Sequence, residues 1–273
     1  MKYKLIISDY DGTMAPSGAK CTLDKETINA IKSYEDRGGK FVICTGRPYC
    51  SIKRLKENYT LKGAVATLQG AYICDIQSGT IILEQGLDKN TALEVLEKFK
   101  AEKDATPIVF IGENFYTERR DDIVAVYENA DCVDAVLVNS LEELIKNAKV
   151  VGKIVLLIKP DDTRIAKIHE KYSKLSTEKV LYNYAVNYGY EAINPRFSKK
   201  EAVEFLIDYY GLTNSEVMTV GDSDNDIPLL SGAWHGVCVG DGKERLKKIA
   251  KEITVPVKDQ PIKVLIEKYS KKG

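Results

Sequence analysis

Residues 5–13 read Leu5-Ile6-Ile7-Ser8-Asp9-Tyr10-Asp11-Gly12-Thr13, an apolar run followed by two acids that a single residue separates. A run this apolar, bounded by a glycine turn, is typical of a strand buried on both faces of a parallel sheet. Asp9 and Asp11 then emerge at the carboxyl end of this strand, where open α/β sheets build their sites. Two carboxylates so close together repel each other, which raises the pKa of one of them unless a nearby cation keeps both ionised. The stretch therefore predicts a Mg²⁺ site at the end of the strand.

The composition is that of an ordinary globular protein with balanced charge. The 273 residues include 40 Lys+Arg and 40 Asp+Glu, and 44% are hydrophobic, which suffices for one large domain or two modest ones. The balance argues against nucleic acid as a partner. The apolar stretches are too short for a signal peptide or a membrane span, so we expect no membrane partner and a cytoplasmic location. The six cysteines lack CxxC spacing and are expected to be reduced thiols.

Strands and helices alternate in the two outer parts of the chain. Continuous apolar runs such as Phe41-Val42-Ile43-Cys44 alternate with helix-spaced segments such as 25–37, and this alternation resumes after Lys199. We therefore expect an α/β fold in which residues 1–83 and 190–273 form one doubly wound parallel sheet.

The middle of the chain, residues 84–189, is richer in strands. It predicts an inserted α/β domain with its own antiparallel sheet. Gln85-Gly86 and Tyr188-Gly189 are the candidate hinges, because glycine permits the backbone change that domain closure needs.

Four clusters of polar residues follow predicted strands or begin a predicted helix. Together they supply oxygen ligands for a hard cation and donors for a phosphoryl group. The clusters are Asp9 with Asp11, Thr45 with Gly46, Lys199 in Ser198-Lys199-Lys200, and the acidic turn Gly221-Asp222-Ser223-Asp224-Asn225-Asp226.

Each cluster alone has a simpler structural interpretation. Asp9 to Gly12 could be a turn, the acidic turn could cap a helix, and Lys199 could be one more solvated lysine. The four clusters in this order at strand and helix ends favour a shared site over coincidence.

The order of these motifs resembles that of haloacid dehalogenase superfamily phosphatases, in the Cof-like subfamily (type IIB) with a large C2 cap between the second and third motifs. The resemblance covers the whole chain. The matching segments are Asp9 to Thr13, Thr45-Gly46-Arg47, Lys199, and Gly221-Asp222 through Asn225-Asp226. Gln69-Gly70-Ala71 resembles the family's Asn-Gly-Ala segment with Gln in place of Asn. The third motif lacks the usual glycines, which leaves Lys200 as an alternative to Lys199.

The resemblance implies a Mg²⁺-dependent phosphatase that works through an aspartyl phosphate. Asp9 is the expected nucleophile and Asp11 the general acid and base. Mg²⁺ is expected on Asp9, Asp222 and the Asp11 carbonyl, with Asp226 holding the ligands or their waters. The expected phosphate-binding residues are Thr45, Gly46, Lys199 and Asn225.

The expected substrate is a small phosphate ester, with sugar phosphates ahead of other phosphorylated metabolites and pyridoxal phosphate. The inserted domain is expected to contact the leaving group, and its candidates are Tyr182, Asn183, Tyr184, Asn187, Arg119 and Arg120. Packing on a sheet face is the competing interpretation of the tyrosines, and an exposed turn is that of the arginines. A phosphosugar mutase and a non-catalytic ligand-binding regulator remain alternatives, and the oligomeric state is left open.

Overall fold

The computed structural model describes residues 1–18, 20–159, 162–186 and 189–270. The predicted hinge residue Tyr188 and the candidate contact Asn187 lie outside these ranges. The chain forms two compact units. The core unit comprises Met1–Arg47, Ile52–Leu83 and Ser198–Gly273, and the inserted unit comprises Pro48–Ser51 and Glu84–Phe197. Within the described ranges, no helix combines the length and apolarity needed to cross a bilayer.

The strands fall into two sheets. In chain order they are β1 Leu5–Ser8, β2 Lys40–Cys44, β3 Ala64–Thr67, β4 Tyr72–Asp75, β5 Ile81–Glu84, β6 Ala105–Ile111, β7 Asn114–Thr117, β8 Val136–Leu137, β9 Lys153–Ile158, β10 Leu181–Val186, β11 Gly189–Ile193, β12 Val217–Gly221, β13 His235–Cys238 and β14 Glu252–Ile253.

The helices connect these strands. In chain order they are α1 Lys25–Asp36, α2 Tyr49–Ile52, α3 Leu55–Asn58, α4 Lys89–Lys100, α5 Asp122–Asp131, α6 Leu141–Asn147, α7 Asp162–Ser173, α8 Lys199–Tyr209, α9 Ile227–Leu230, α10 Glu244–Ile249 and α11 Pro261–Ser270.

The core unit is built on a sheet with the order β14-β13-β12-β1-β2-β3-β4-β5. The strands from β14 to β3 run parallel, and β4 runs antiparallel to β3. Every residue of β1 is buried, as the apolar run predicts. In the sheet, β2 lies beside β1 in one direction, whereas β13 lies beside β12 in the opposite direction. The ends of β1 and β12 therefore lie at the topological switch point, where such sheets bind ligands.

The inserted unit has a sheet with the order β10-β11-β9-β6-β7-β8. Its pairs are antiparallel except β7 with β8. One face packs on α4, α6 and α7 through a core that includes Phe99, Ile145 and Tyr172. The predicted fold class, a doubly wound parallel sheet with an inserted α/β domain that contains an antiparallel sheet, is confirmed.

The second domain boundary differs from the sequence-based division. That division gives residues 190–197 to the core, whereas the structure places them in the inserted unit. The reason is β11, which pairs antiparallel with both β10 and β9 and is buried within that sheet. The pattern of short alternating segments gave no sign of this additional strand.

Two helices were also missed. In α5 the N-cap Asp121 accepts a hydrogen bond from Val124 N, and Ile123, Val124 and Tyr127 are buried at helix spacing. In α11 the buried residues include Ile262, Leu265 and Ile266. Both carry a helical pattern that was detectable in the sequence.

Candidate active site

Asp9 leaves β1 at the switch point and points into a buried cluster. Its backbone N–H donates to Val220 O at 2.9 Å, which ties it to the neighbouring strand β12. The residue is only 3% exposed. Its carboxylate Oδ1 lies 2.5 Å from the Lys199 Nζ. Burial and the nearby charge of Asp226 raise the pKa of Asp9 well above its usual range, against the opposing effect of Lys199.

Lys199 is the first residue of α8 and reaches Asp9 from the far end of the chain. Ser198 caps the helix, because it exchanges hydrogen bonds with Glu201 in a capping box. Lys199 is buried, and its Nζ also contacts Asp226 Oδ1 at 2.6 Å. Burial lowers its pKa, but the charges of Asp226 and Asp9 outweigh this and raise the pKa above the usual range. The lysine therefore stays protonated.

Lys200, the alternative from the sequence, points elsewhere. Its Nζ lies 3.8 Å from Glu204 Oε1, one helical turn further along α8. Of the two lysines, Lys199 is the one that contacts Asp9.

Asp226 fixes the acidic turn that follows β12. Its Oδ2 accepts the backbone N–H groups of Asp222 and Ser223, at 2.9 and 3.2 Å. Its Oδ1 is the atom that binds Lys199. Asp226 is fully buried, so it joins the turn to α8 without exposure to solvent.

Asp222 is held from the opposite side by the loop after β1. Thr13 Oγ1 donates to Asp222 Oδ1 at 3.3 Å. Gly12 has φ +76, and a Cβ at this residue would lie 2.5 Å from Asp222 Oδ2. A side chain at Gly12 would therefore meet both a strained backbone and the Asp222 carboxylate. Thr13 belongs to the first motif, and its contact with Asp222 emerges only from the structure.

The three acids Asp9, Asp222 and Asp226 offer ligand atoms that all lie within 4.8 Å of one another. Burial and the charge of Asp226 raise the pKa of Asp222 to about 6. Three carboxylates around one buried ammonium leave an excess of negative charge, which a divalent cation would neutralise. A set of carboxylate oxygens suits a hard cation such as Mg²⁺.

Asp11 lies outside this acidic cluster, and its side chain binds Arg47. Arg47 Nε and Nη2 donate to Asp11 Oδ2 and Oδ1, each at 2.7 Å. Such a two-pronged pairing fixes the orientation of the carboxylate. Because both carboxylate oxygens of Asp11 bind Arg47, the backbone carbonyl of Asp11 stays the group proposed as a metal ligand. Arg47 belongs to the second motif, and its pairing with Asp11 emerges only from the structure.

Thr45 and Gly46 follow β2 beside the Asp9 segment. The Thr45 backbone N–H donates to Ala66 O at 2.8 Å, and its Oγ1 accepts the Arg47 backbone N–H at 3.1 Å. The hydroxyl keeps its own proton to donate. Within the described part of the chain, the Gly46 backbone N–H has no hydrogen-bond partner.

Asn225 lies in the acidic turn between Asp224 and Asp226, and its role as a phosphate-binding residue stays a prediction. It is exposed, and its Oδ1 accepts the Ser223 hydroxyl at 2.5 Å. Among the described residues, its side chain bonds to Ser223 and not to Asp9, Thr45 or Lys199.

The candidate contacts in the inserted unit have structural partners there. Tyr182 is buried in the core of that unit, and Tyr184 stacks on His169 with ring centroids 4.6 Å apart. Arg119 donates to Ala105 O at 2.7 Å, and Arg120 pairs with Glu128 at 2.8 Å. These contacts agree with the packing interpretation of Tyr182 and give both arginines roles within the unit.

Comparison with known proteins places the chain in a family. The model of haloacid dehalogenase-like hydrolases matches residues 6–266. A relative named as a phosphatase, YxeH of Bacillus subtilis (strain 168), is 26% identical over 244 residues, which are 88% of each chain. The 5-amino-6-(5-phospho-D-ribitylamino)uracil phosphatase YitU of the same organism is 23% identical over 270 residues, which are 97% of each chain.

A solved structure shares the fold along almost the whole chain. The sugar phosphatase BT4131, described as a member of subclass IIB of the superfamily, aligns with a TM-score of 0.77 and 22% identity. The alignment covers 98% of this chain and 99% of that one. The predicted family is confirmed: the chain belongs to the haloacid dehalogenase-like hydrolases and is a hydrolase of the phosphatase type.

Proposed function

We propose that the protein is a Mg²⁺-dependent phosphatase that hydrolyses small phosphorylated metabolites, sugar phosphates foremost, through an aspartyl phosphate. The observation that carries this proposal is the largely buried cluster of Asp9, Asp222 and Asp226, in which Asp9 and Asp226 contact Lys199. An excess of buried negative charge is costly for folding, and it suits a site that binds a divalent cation.

Asp9 is the proposed nucleophile. Lys199 holds its Oδ1, and among the described residues its Oδ2 has no hydrogen-bond partner, so Oδ2 is the atom for attack. A new bond forms between Oδ2 and phosphorus while the bond from phosphorus to the ester oxygen breaks. This splits a very slow hydrolysis into two displacements.

Asp11 is the proposed acid and base. It gives a proton to the departing alcohol and then accepts one from the water that attacks the acyl phosphate. The second displacement releases inorganic phosphate and restores the Asp9 carboxylate. Arg47 supports the second step, because its two hydrogen bonds hold the ionised Asp11 carboxylate in one orientation for the water.

Asp9, Asp222 and the Asp11 backbone carbonyl are the proposed Mg²⁺ ligands, with Asp226 holding Asp222 in place. Bound Mg²⁺ would neutralise charge between Asp9 and the phosphoryl group.

The equatorial phosphoryl oxygens are assigned to the Lys199 ammonium, the Thr45 hydroxyl and the Gly46 N–H. Preorganised donors of this kind stabilise the charge of the transition state. Asn225 stays a proposed further phosphate contact through its amide N–H groups, while its Oδ1 accepts the Ser223 hydroxyl within the acidic turn.

The substrate class rests on the relatives. YitU is named for a phosphoribityl compound and BT4131 is named a sugar phosphatase, and both names describe small polyol or sugar phosphates. The assignment of substrate selection to the inserted unit follows from the resemblance and stays a prediction.

The test is phosphate release from a panel of sugar and other metabolite phosphates, with Mg²⁺ or with EDTA. We expect turnover with Mg²⁺ only, and an acid-stable phosphoprotein after rapid quenching that Asp9→Asn does not form. Near-normal turnover by Asp9→Asn would contradict the proposal. Conservation of total phosphate ester during the reaction would indicate a mutase instead.

A further inference from the structure

The turn that follows β3 adopts a backbone conformation that side-chain-bearing residues rarely adopt. Leu68, Gln69 and Gly70 have φ values of 52, 61 and 99, all in the left-handed region. Only the last is glycine. Conformations of this kind persist when surrounding contacts impose them, and they cluster at functional sites.

Hydrogen bonds to the second motif impose this turn. The Gln69 N–H donates to Thr45 O at 3.0 Å, and the Leu68 N–H donates to Arg47 O at 3.1 Å. The turn is thus attached on both sides of Gly46.

The other side of the turn lies against the start of α8. A Cβ at Gly70 would lie 2.5 Å from the Ala202 Cβ and 3.1 Å from Ser198 O. The turn therefore fills the space between the second motif and the helix that carries Lys199.

This arrangement places the Gln69 carboxamide over Gly46. A Cβ at Gly46 would lie 2.7 Å from Gln69 Nε2 and 3.8 Å from its Oε1, so the amino group is the nearer end. Gln69 is only partly buried. Within the described part of the chain, neither the Gln69 carboxamide nor the Gly46 N–H has a hydrogen-bond partner. The Gln69 amino group therefore lies next to Gly46 at the end of β2, and both residues have an uncommitted N–H donor.

We propose that the Gln69 carboxamide is a further phosphate-binding group, which donates a hydrogen bond to a phosphoryl oxygen beside the Gly46 N–H. This inference rests on the proposed function, because it takes Gly46 as part of the phosphate site. A neutral amide adds a directed hydrogen bond to the charge supplied by Lys199. The strained turn is the means by which the backbone brings this side chain to Gly46.

The experiment measures binding of inorganic phosphate by calorimetry in the presence of Mg²⁺, together with kcat and KM for the best ester. Gln69→Leu removes both amide groups at similar volume and should weaken phosphate binding about 10- to 100-fold, the usual effect of a lost hydrogen bond to a charged group. Gln69→Glu should weaken it further, because a carboxylate repels the phosphate dianion.

Gln77→Leu is the matched control. Gln77 lies near the opposite end of the sheet, after β4, and its Nε2 donates to Leu61 O at 2.6 Å. This variant loses a structural hydrogen bond, so its stability should fall while its phosphate affinity stays at the wild-type value. Urea unfolding of all variants reports whether the turn still folds.

Unchanged phosphate affinity in both Gln69 variants would overturn the inference. So would equal losses in Gln69→Leu and Gln69→Glu that follow a common loss of stability, because a purely structural role predicts that pattern. A wild-type protein that releases phosphate from no ester would instead refute the proposed function itself.

Discussion

Lys153 in the inserted unit and Lys199 in the core unit are both buried, but they contact different numbers of carboxylates. In the inserted unit Lys153 Nζ lies 3.0 Å from Glu191 Oε2, and both side chains are less than a tenth exposed. In the core unit Lys199 contacts Asp9 and Asp226, and Asp222 lies close to both acids. The first cluster pairs one cation with one anion, whereas the second contains three carboxylates and one cation, which contacts two of them.

The difference shows that burial of charge does not by itself identify a site. Lys153 and Glu191 lie on the neighbouring strands β9 and β11, and Lys153 also lies 5.1 Å from the centre of the Phe110 ring. Their charges cancel within the sheet, which is what a structural pair requires. The cluster around Lys199 does not cancel and calls for a further cation. Charge imbalance, together with the switch-point position, distinguishes the candidate site.

The largest expected effect is a loss of kcat on substitution of Asp9 that substitution of Glu191 does not produce. Asp9→Asn removes the proposed nucleophile, so kcat should fall on the order of 10⁴-fold or more. Glu191→Gln keeps the shape of the other acid and should leave kcat close to the wild-type value, at a cost to stability. Steady-state phosphate release and urea unfolding measure the two quantities. A comparable loss of kcat in both variants would remove the distinction.

Substitution of the lysines should give the next largest effect. Lys199→Met removes a proposed phosphoryl ligand and should lower kcat about 10²- to 10³-fold. Lys153→Met leaves Glu191 buried without its partner, which should cost about 3–5 kcal/mol of stability with little change in kcat. The comparison fails if Lys153→Met is the less active of the two while both remain folded.

Metal and pH should affect the stability of the core unit through the cluster of Asp9, Asp222 and Asp226. The pKa of Asp222 is raised from 3.8 to about 6, so folding favours its protonated form. The resulting stability is present below about pH 4 and is lost as the pH rises through about 6. In EDTA, the protein should therefore lose stability over this interval. At pH 7.5, Mg²⁺ at 100 times its Kd should add about 2.7 kcal/mol, and at pH 5 less, because protons compete for the carboxylates.

Thermal unfolding of two variants checks this expectation. Asp222→Asn should weaken both the pH-dependent decline and the response to Mg²⁺, whereas Glu191→Gln should keep the response to Mg²⁺. A wild-type protein that Mg²⁺ does not stabilise at pH 7.5 would contradict the metal assignment.

The smallest expected effect is on Mg²⁺ binding, and it distinguishes two glycines with positive φ, Gly12 in the core unit and Gly112 in the inserted unit. Gly112→Ala meets no atom within 4 Å at φ +56, so it should cost only backbone strain, about 1 kcal/mol. Gly12→Ala adds a clash with Asp222 Oδ2 at φ +76, so it should also weaken Mg²⁺ binding and lower kcat. Titration of activity with Mg²⁺ measures the difference. An unchanged Mg²⁺ requirement in Gly12→Ala would show that Asp222 can move without consequence.

Local patterns predicted most of the fold, because strand burial and helix spacing are short-range properties. The apolar runs of β1 and β2 and the helix α1 appear where the sequence places them. The strand β11 was missed because its partners β9 and β10 create its environment, and a short segment carries little sign of such pairing.

The sequence predicted which residue types form the candidate site, but it predicted only some of the contacts among them. Asp9, Lys199, Asp222 and Asp226 meet as expected, although 190 residues separate the first two. The Asn225 side chain accepts a hydrogen bond from Ser223, and Arg47 binds Asp11, and neither partner is indicated by spacing in the sequence. Such pairings depend on the orientation of side chains, which sequence position does not specify.

The sequence by itself determined the family, the parallel sheet and the acids at its switch point, because each depends on residues adjacent in the chain. Only the tertiary structure decided that Lys199 and not Lys200 meets Asp9, that Arg47 holds Asp11, and that the inserted unit extends to Phe197. The physical reason is that a buried charge takes its partners from whichever elements pack beside it, and packing brings together residues that the chain keeps far apart.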